Sequence, residues 1–524
     1  LSNFIPDGGI WLNAQRPEWN DANNALVGYG VSMVTLYYLN RHILFLNKVL
    51  SNVNSVEVEI SSEVILWFKS IRGIFENYSS HLGGKIEPTY RKNFVVELQE
   101  AFSKYRSETY NKTSKTSEKL KVVDLLNFNN LVLQHFESSI KNNLNNSLYS
   151  AYNTINIDDT NEINVSSLFP MLEGQVSALS SGQIKPKEAI NILSSLFKSE
   201  MYQSEQNSFM LYPRKKLKRF LDKNIIPSAI VNDCNLFKKL IEQENTEILY
   251  VDGIGNYRFN ESLINSNFLE KKLNLLSKIE MYSKDIQKER SKVLNYYLGV
   301  FDHQNYTGRS GTMYAYEGIG SIYWHMVSKL LLATQELFFK AVNTKEHISI
   351  IKELGDLYYK IRSGLSSDKT PEQYGAFPYD PYSHTPYKRG AQQPGMTGQV
   401  KEEIITRMGE LGCSLKNGTL VFQIELLKLS EFLKKDAVFS YVDINHNFCE
   451  YVLKPDQLGF TYCQVPIIYQ LSEQDCNISV SFNNQTTEDI SGNILPSEIS
   501  SKLFSRSGEI KEIKVNCLKS SFIL

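Results

Sequence analysis

The chain has 524 residues, 42% hydrophobic and 22% charged, the composition of an ordinary globular protein with room for two or more domains. A net charge of -1 gives no general case for nucleic acid or an anionic membrane as partner. No stretch approaches the roughly 20 apolar residues of a membrane helix, and the six cysteines show neither a CxxC pair nor zinc spacing to the eight histidines, so no metal site is expected.

In chain order, a polar opening through Pro17 leads into a helical pattern from about Ala22 to Leu50, apolar on nearly every face and therefore expected to be buried. No basic or apolar leader precedes it, which slightly favours a soluble, cytoplasmic chain, although the first residue is Leu rather than Met. Helical periodicity follows at about 61–77, 90–110 and 117–148, and residues 150–170 read as a loop. Lys185-Pro186 opens a helix to about Ser199, and further patterns cover 235–243, 261–298, 318–343 and 345–363. The stretch 364–397 is rich in Gly, Pro, Tyr and Ser without a period, as expected of a folded functional loop. After Gly412 come short alternating runs at 419–424, 437–442, 464–469 and 478–482, with Asn417-Gly418 as a hairpin signal. The expected architecture is mainly α: a helical domain over 1–412, then a C-terminal β domain over 413–524, of sandwich type. Helices of similar length joined by long loops suit a toroid better than a short-loop bundle.

Three segments could carry chemistry. Gln15–Asn24 holds Arg16, Glu18, Trp19 and Asp21 in a loop feeding a helix. A carboxylic acid beside an indole could protonate a glycosidic oxygen, its pKa raised by desolvation. For this segment alone, a helix cap at Asn20 or Asp21 over a packed Trp19 is the better account. Thr307–His325 brings Arg309, Tyr316 and Glu317 before an apolar helix. Glu317 suits either a catalytic carboxylate or a helix N-terminal charge, and His325 is better read as core. Asp380–Ile404 carries His384, Arg389, Gln392 and Gln393 before Thr397-Gly398-Gln399 opens a helix, whose free N–H groups accept an anion. Such polar and aromatic density suits a sugar or phosphate site.

Taken in order, these segments resemble the cellobiose and chitobiose phosphorylases and their relatives among the (α/α)₆-barrel glycosidases. That family carries an Asp-Trp-Asn-Asp-Gly loop whose acid before Trp is the proton donor; here the loop reads Glu18-Trp19-Asn20-Asp21-Ala22. The resemblance implies Glu18 as proton donor, with Asp21 as fallback. Family members hold phosphate at a Thr-Gly opening the last barrel helix, where this chain has Met396-Thr397-Gly398-Gln399, and Gly418-Thr-Leu-Val-Phe looks like their first C-terminal strand. Gln175–Gly182 and Met210-Leu-Tyr-Pro resemble intervening family segments more faintly.

Two departures matter. Where the phosphorylases place a phosphate-binding His, this chain reads Tyr314-Ala315-Tyr316-Glu317, and a carboxylate there repels phosphate. Glu317 would instead suit a base activating water, as inverting hydrolysis needs. The family also has a β domain and about half the barrel before the Trp-Asn-Asp loop, so the missing half is expected from upstream sequence or another chain. The resemblance implies an enzyme that cleaves or forms β-glycosidic bonds of an oligo- or polysaccharide, as hydrolase or as phosphorylase with glycosyltransferase character. It calls for no cofactor beyond inorganic phosphate as co-substrate of the phosphorolytic form. The alternative is a catalytically inactive carbohydrate-binding or structural fragment.

Overall fold

The computed structural model describes residues 1–14, 26–53, 56–111, 116–156, 161–213, 222, 224–301, 324–365 and 397–524, apart from the side chains at 111, 324 and 397–400. Helices make up about half and strands 22%, a mixed α/β composition rather than the mainly α one expected. The surplus strands are short pairs set between helices, too brief to leave a period in the sequence. By internal packing the chain divides into two compact units, one of residues 1–13, 29–213 and 320–524, the other of 14–28 and 214–319. The sequence patterns drew no boundary near 214 or 319.

In the first unit the expected helix from Ala22 begins only at Met33. Gly30–Ser32 is a strand, and the Ser32 hydroxyl accepts from the Thr35 N–H at 3.0 Å, capping the helix Met33–Ser51. Met33, Leu36 and Tyr37 are fully buried, whereas Leu44, Phe45 and Val49 are exposed, so the helix is buried only in its first half. Gly30–Ser32 is the middle strand of a five-stranded antiparallel sheet, in the order Phe4–Ile5, Gly9–Trp11, Gly30–Ser32, Tyr152–Asn156, Asn164–Ser167. The last two strands lie in a stretch read from sequence as loop. Glu57–Ser61 pairs with Ser117–Lys121, so the helical pattern expected from 117 begins only at Val122.

A buried arginine fastens this sheet to its surroundings. Arg91, from the helix Pro88–Asn111, donates to the carbonyls of Pro6, Ile86 and Ile163 at 2.8 Å each and to the Asp7 carboxylate at 3.1 Å. Asp7 also accepts from the Ile86 N–H and the Asn142 side chain, so the pair is paired and solvated by the protein.

Five helices then pack side by side: Val122–Asn142 on Met33–Ser51, that on Leu172–Ser180, that on Trp324–Asn343, and that on Thr397–Glu410. Pro186–Lys198, with Pro in its first turn, and Ile348–Arg362 pack against Trp324–Asn343 and against each other.

Downstream, Cys413–Lys416 and Thr419–Phe422 form a hairpin whose turn residues Asn417 and Gly418 have φ of 51° and 80°, the left-handed pair of a type I′ turn. A second hairpin joins Ala437–Val442 to Phe448–Leu453. The remaining strands form one mixed sheet in the order Gln457–Tyr462, Val465–Ser472, Ile510–Leu518, Asn477–Phe482, Thr487–Ser491. A sandwich was expected; among the described residues the C-terminal region is this sheet with separate hairpins and the helix Ser497–Phe504, around one core.

The second unit has its own core of Phe237, Leu240, Phe259, Leu273, Val293 and Tyr297. The expected 261–298 helix is two, Ser266–Leu276 and Glu280–Phe301, the break letting Leu273 and Val293 share that core. Glu289, buried on the second of these, accepts the Leu236 N–H at 3.0 Å and so caps the helix Asn235–Glu242 from outside.

Candidate functional site

Of the residues singled out in the sequence, Arg16, Glu18, Trp19, Asp21, Arg309, Tyr316, Glu317, His384, Arg389, Gln392 and Gln393 lie outside the described residues. Thr397, Gly398 and Gln399 form the first turn of the helix Thr397–Glu410. His325 sits in the first turn of Trp324–Asn343, half-buried rather than sealed in core. Its pKa is lowered by burial and by Lys329, while Glu402 opposes that shift.

These neighbours of His325 belong to a polar cluster that the row of helices assembles. Met33–Ser51 supplies Tyr38 and Arg41, Leu172–Ser180 supplies Glu173, Trp324–Asn343 supplies His325, Lys329 and Glu336, and Thr397–Glu410 supplies Glu402. Arg41 forks Glu336, with Nη1 to Oε2 at 2.6 Å and Nη2 to Oε1 at 2.8 Å, a bidentate geometry that fixes both side chains. Burial raises the Tyr38 pKa, and the charges of Glu173, Glu336 and Glu402 raise it further against Arg41.

Glu173 and Glu402 are the unusual members. Burial pushes the Glu173 carboxyl above the ordinary range, although the Tyr152 hydroxyl donates to it at 3.1 Å and Lys329 is near. It is therefore a carboxyl that keeps its proton longer than a surface glutamate does. Glu402 is 5% exposed, and its Oε2 has no hydrogen-bond partner among the described residues. Its other oxygen stands 3.7 Å from Lys401 Nζ. A buried carboxylate oxygen without a donor costs on the order of 1–3 kcal/mol. Carboxylates of this kind beside a tyrosine and an imidazole offer hydrogen-bond acceptors that polyol hydroxyls can meet.

The sequence signal for this cluster is Glu173-Gly174-Gln175. A Cβ at Gly174 would come within 2.9 Å of the Ala151 nitrogen, so only glycine lets the helix approach the strand that carries Tyr152. Gln175 is fully buried, accepting from the Tyr149 N–H at 2.8 Å and donating to the Tyr149 carbonyl at 2.7 Å. Glu173 is thereby held next to Tyr152 by the two residues that follow it in sequence.

The far end of Thr397–Glu410 is anchored quite differently. Glu410, 1% exposed, accepts from Tyr358 at 2.6 Å, Arg362 Nε at 2.6 Å and Arg407 Nη1 at 2.7 Å. Gln335 donates to the Thr406 carbonyl at 2.8 Å and to Tyr358 at 3.2 Å, passing over Gly409, where a Cβ would overlap its carboxamide.

Among the described residues no group of His, Cys, Asp and Glu is arranged to hold a metal ion, and no helix is long and apolar enough to cross a membrane. Residues 217–304 match the family model for GH149 phosphorylase insertion domain 2. That span falls within the 214–319 segment of the second unit. The match supports a relationship to glycoside phosphorylases, carbohydrate-active enzymes, through one insertion domain. No curated protein matches the chain.

Proposed function

We propose that the chain acts in phosphorolysis of a β-linked oligo- or polysaccharide, and in the reverse synthesis. The observation that carries this is the match of residues 217–304 to a phosphorylase insertion domain. The row of five helices supports a toroid-like scaffold for the reaction, and the Glu173 and Glu402 cluster supports a polyol substrate. Glu18 protonates the departing glycosidic oxygen as the bond to the anomeric carbon breaks. A phosphate oxygen attacks that carbon from the opposite face, giving a sugar 1-phosphate with inverted configuration. Phosphate is already a nucleophile, so this route needs no carboxylate base. Thr397 and Gly398, at a helix start, hold the phosphate with help from Arg309 or Arg389. Trp19, Tyr316, His384, Gln392 and Gln393 line the saccharide path, and Glu173 positions a sugar hydroxyl.

Incubation of the chain with β-gluco-oligosaccharides tests this. Release of sugar 1-phosphate that depends on inorganic phosphate is expected, and Glu18→Gln should lower the rate about 10³-fold. Saccharide cleavage unchanged by phosphate would overturn the phosphorolytic reading in favour of hydrolysis with Glu317 as base. No turnover, with saccharide binding kept in both wild type and Glu18→Gln, would leave a binding protein.

A further inference from the structure

A cleft in the C-terminal region takes no part in the function proposed above. Its volume is about 250 Å³, and three segments, with Asn483 beside them, form most of its wall. One is the Asp443–Asn447 turn of the second hairpin, another the Tyr462–Val465 turn of the mixed sheet, and the third the residues that follow the helix Ser497–Phe504. The floor is Tyr441, Val465, Pro466 and Ile510, with the Tyr441 ring stacked on Phe439 at 5.3 Å between centroids.

The rim holds cations of two kinds. Lys502 is engaged by Glu498 and by Glu509, at 3.6 and 3.0 Å. Arg506 and Lys511 line the same cleft, are exposed, and have no ion-pair partner among the described residues. Among the described lining residues one carboxylate, Asp443, is engaged within its own turn. Asp443 accepts from the backbone N–H groups of Asn445 and Asn447 at 2.9 and 2.8 Å and from the Asn447 side chain at 3.2 Å, so its charge serves its own turn.

Backbone conformation adds a separate observation. Arg506 follows the helix end in the left-handed region, φ 51°, with its N–H on the Leu503 carbonyl and that of Ser507 on Lys502. Glycine or asparagine is the usual occupant of this cap. Gln464, on the facing turn, has φ 65°. Its Nε2 donates to the Asp443 carbonyl at 3.2 Å, which ties together the two turns that face each other across the cleft.

We propose that this cleft binds a phosphate monoester of a small polyol, that is, a sugar phosphate. Arg506 and Lys511 hold the phosphate, Arg506 through its planar fork. Tyr441 offers the apolar face of the polyol a surface, and the Asn445 carboxamide and Gln464 Oε1 meet its hydroxyls. The inference rests on the cleft alone and stands whether or not the chain is a phosphorylase.

Local amide hydrogen exchange on the whole chain tests it, with millimolar glucose 1-phosphate, inorganic phosphate and glucose as separate probes. Slowed exchange in 443–447 and 505–511 with glucose 1-phosphate, weaker with phosphate and absent with glucose, is expected. Arg506→Asn, which keeps a residue suited to the left-handed cap, and Lys511→Gln should each weaken the protection about tenfold in ligand concentration. Equal protection by phosphate and glucose 1-phosphate would reduce the site to one for free phosphate and overturn the polyol half of the proposal. Protection by glucose alone, protection unchanged in both variants, or no protection would overturn it altogether.

Discussion

The two ends of the helix Thr397–Glu410 carry buried glutamates in opposite circumstances. Glu410 is met by two guanidiniums and a phenol within 2.7 Å, whereas Glu402, two turns earlier, has an oxygen without a donor among the described residues. A satisfied buried carboxylate holds the helix in place. An unsatisfied one supplies no such anchor. The helix is thus pinned at its C-terminal end, and Glu402 has no comparable set of anchors among the described residues.

Substitutions break this contrast in a set order. Glu410→Gln removes the charge that Arg362 and Arg407 surround, and should cost about 3 kcal/mol, read as a lower denaturant midpoint for the first unit. Gly409→Ala drives the Gln335 carboxamide off Thr406 and Tyr358, at about 2 kcal/mol. Adding Gln335→Ala should recover part of that loss, and full additivity of the two costs would show that the close approach is not the cause. Glu402→Gln should have the reverse sign, leaving stability unchanged or raising it by about 1 kcal/mol while saccharide affinity falls. A loss matching that of Glu410→Gln would erase the distinction between the two ends.

The smallest effect is one of pH. Because the folded-state pKa of Glu173 is raised, its contribution is complete below the unfolded carboxylate pKa and is lost as pH rises through the folded value. Tyr152→Phe removes a bond that lowers this pKa, so the loss should still begin at the unfolded carboxylate value but extend to higher pH and be larger, and Glu173→Gln should abolish that part of the stability profile. Denaturation midpoints measured from pH 4 to 8, a range of about four units around the carboxylate values, would reveal both changes.

What the sequence disclosed follows the range of the forces involved. Helices 61–77 and 185–199 and the Asn417-Gly418 hairpin are specified locally, by apolar spacing, by Pro in a first turn and by two left-handed residues. Ser117–Lys121 was missed because only Leu120 of its five residues is buried, and its pairing comes from Glu57–Ser61, distant in the chain. Strand Gly30–Ser32 was absorbed into a helix because its apolar residues continue the helical run, and the Ser32 cap that ends it is a single side chain. The Glu173 cluster escaped for a similar reason: its members come from four helices, and only Gly174 marks the close approach in sequence.

The arginine at position 91 joins three stretches that are far apart in the chain, at Pro6, Ile86 and Ile163. Opening any one of them strands donors of the same guanidinium, so they share a single opening free energy. A protease that nicks the chain near residue 161 would therefore also loosen its first strands, and the N-terminal arm would be lost in the same event as the hairpin leading into Asn164–Ser167.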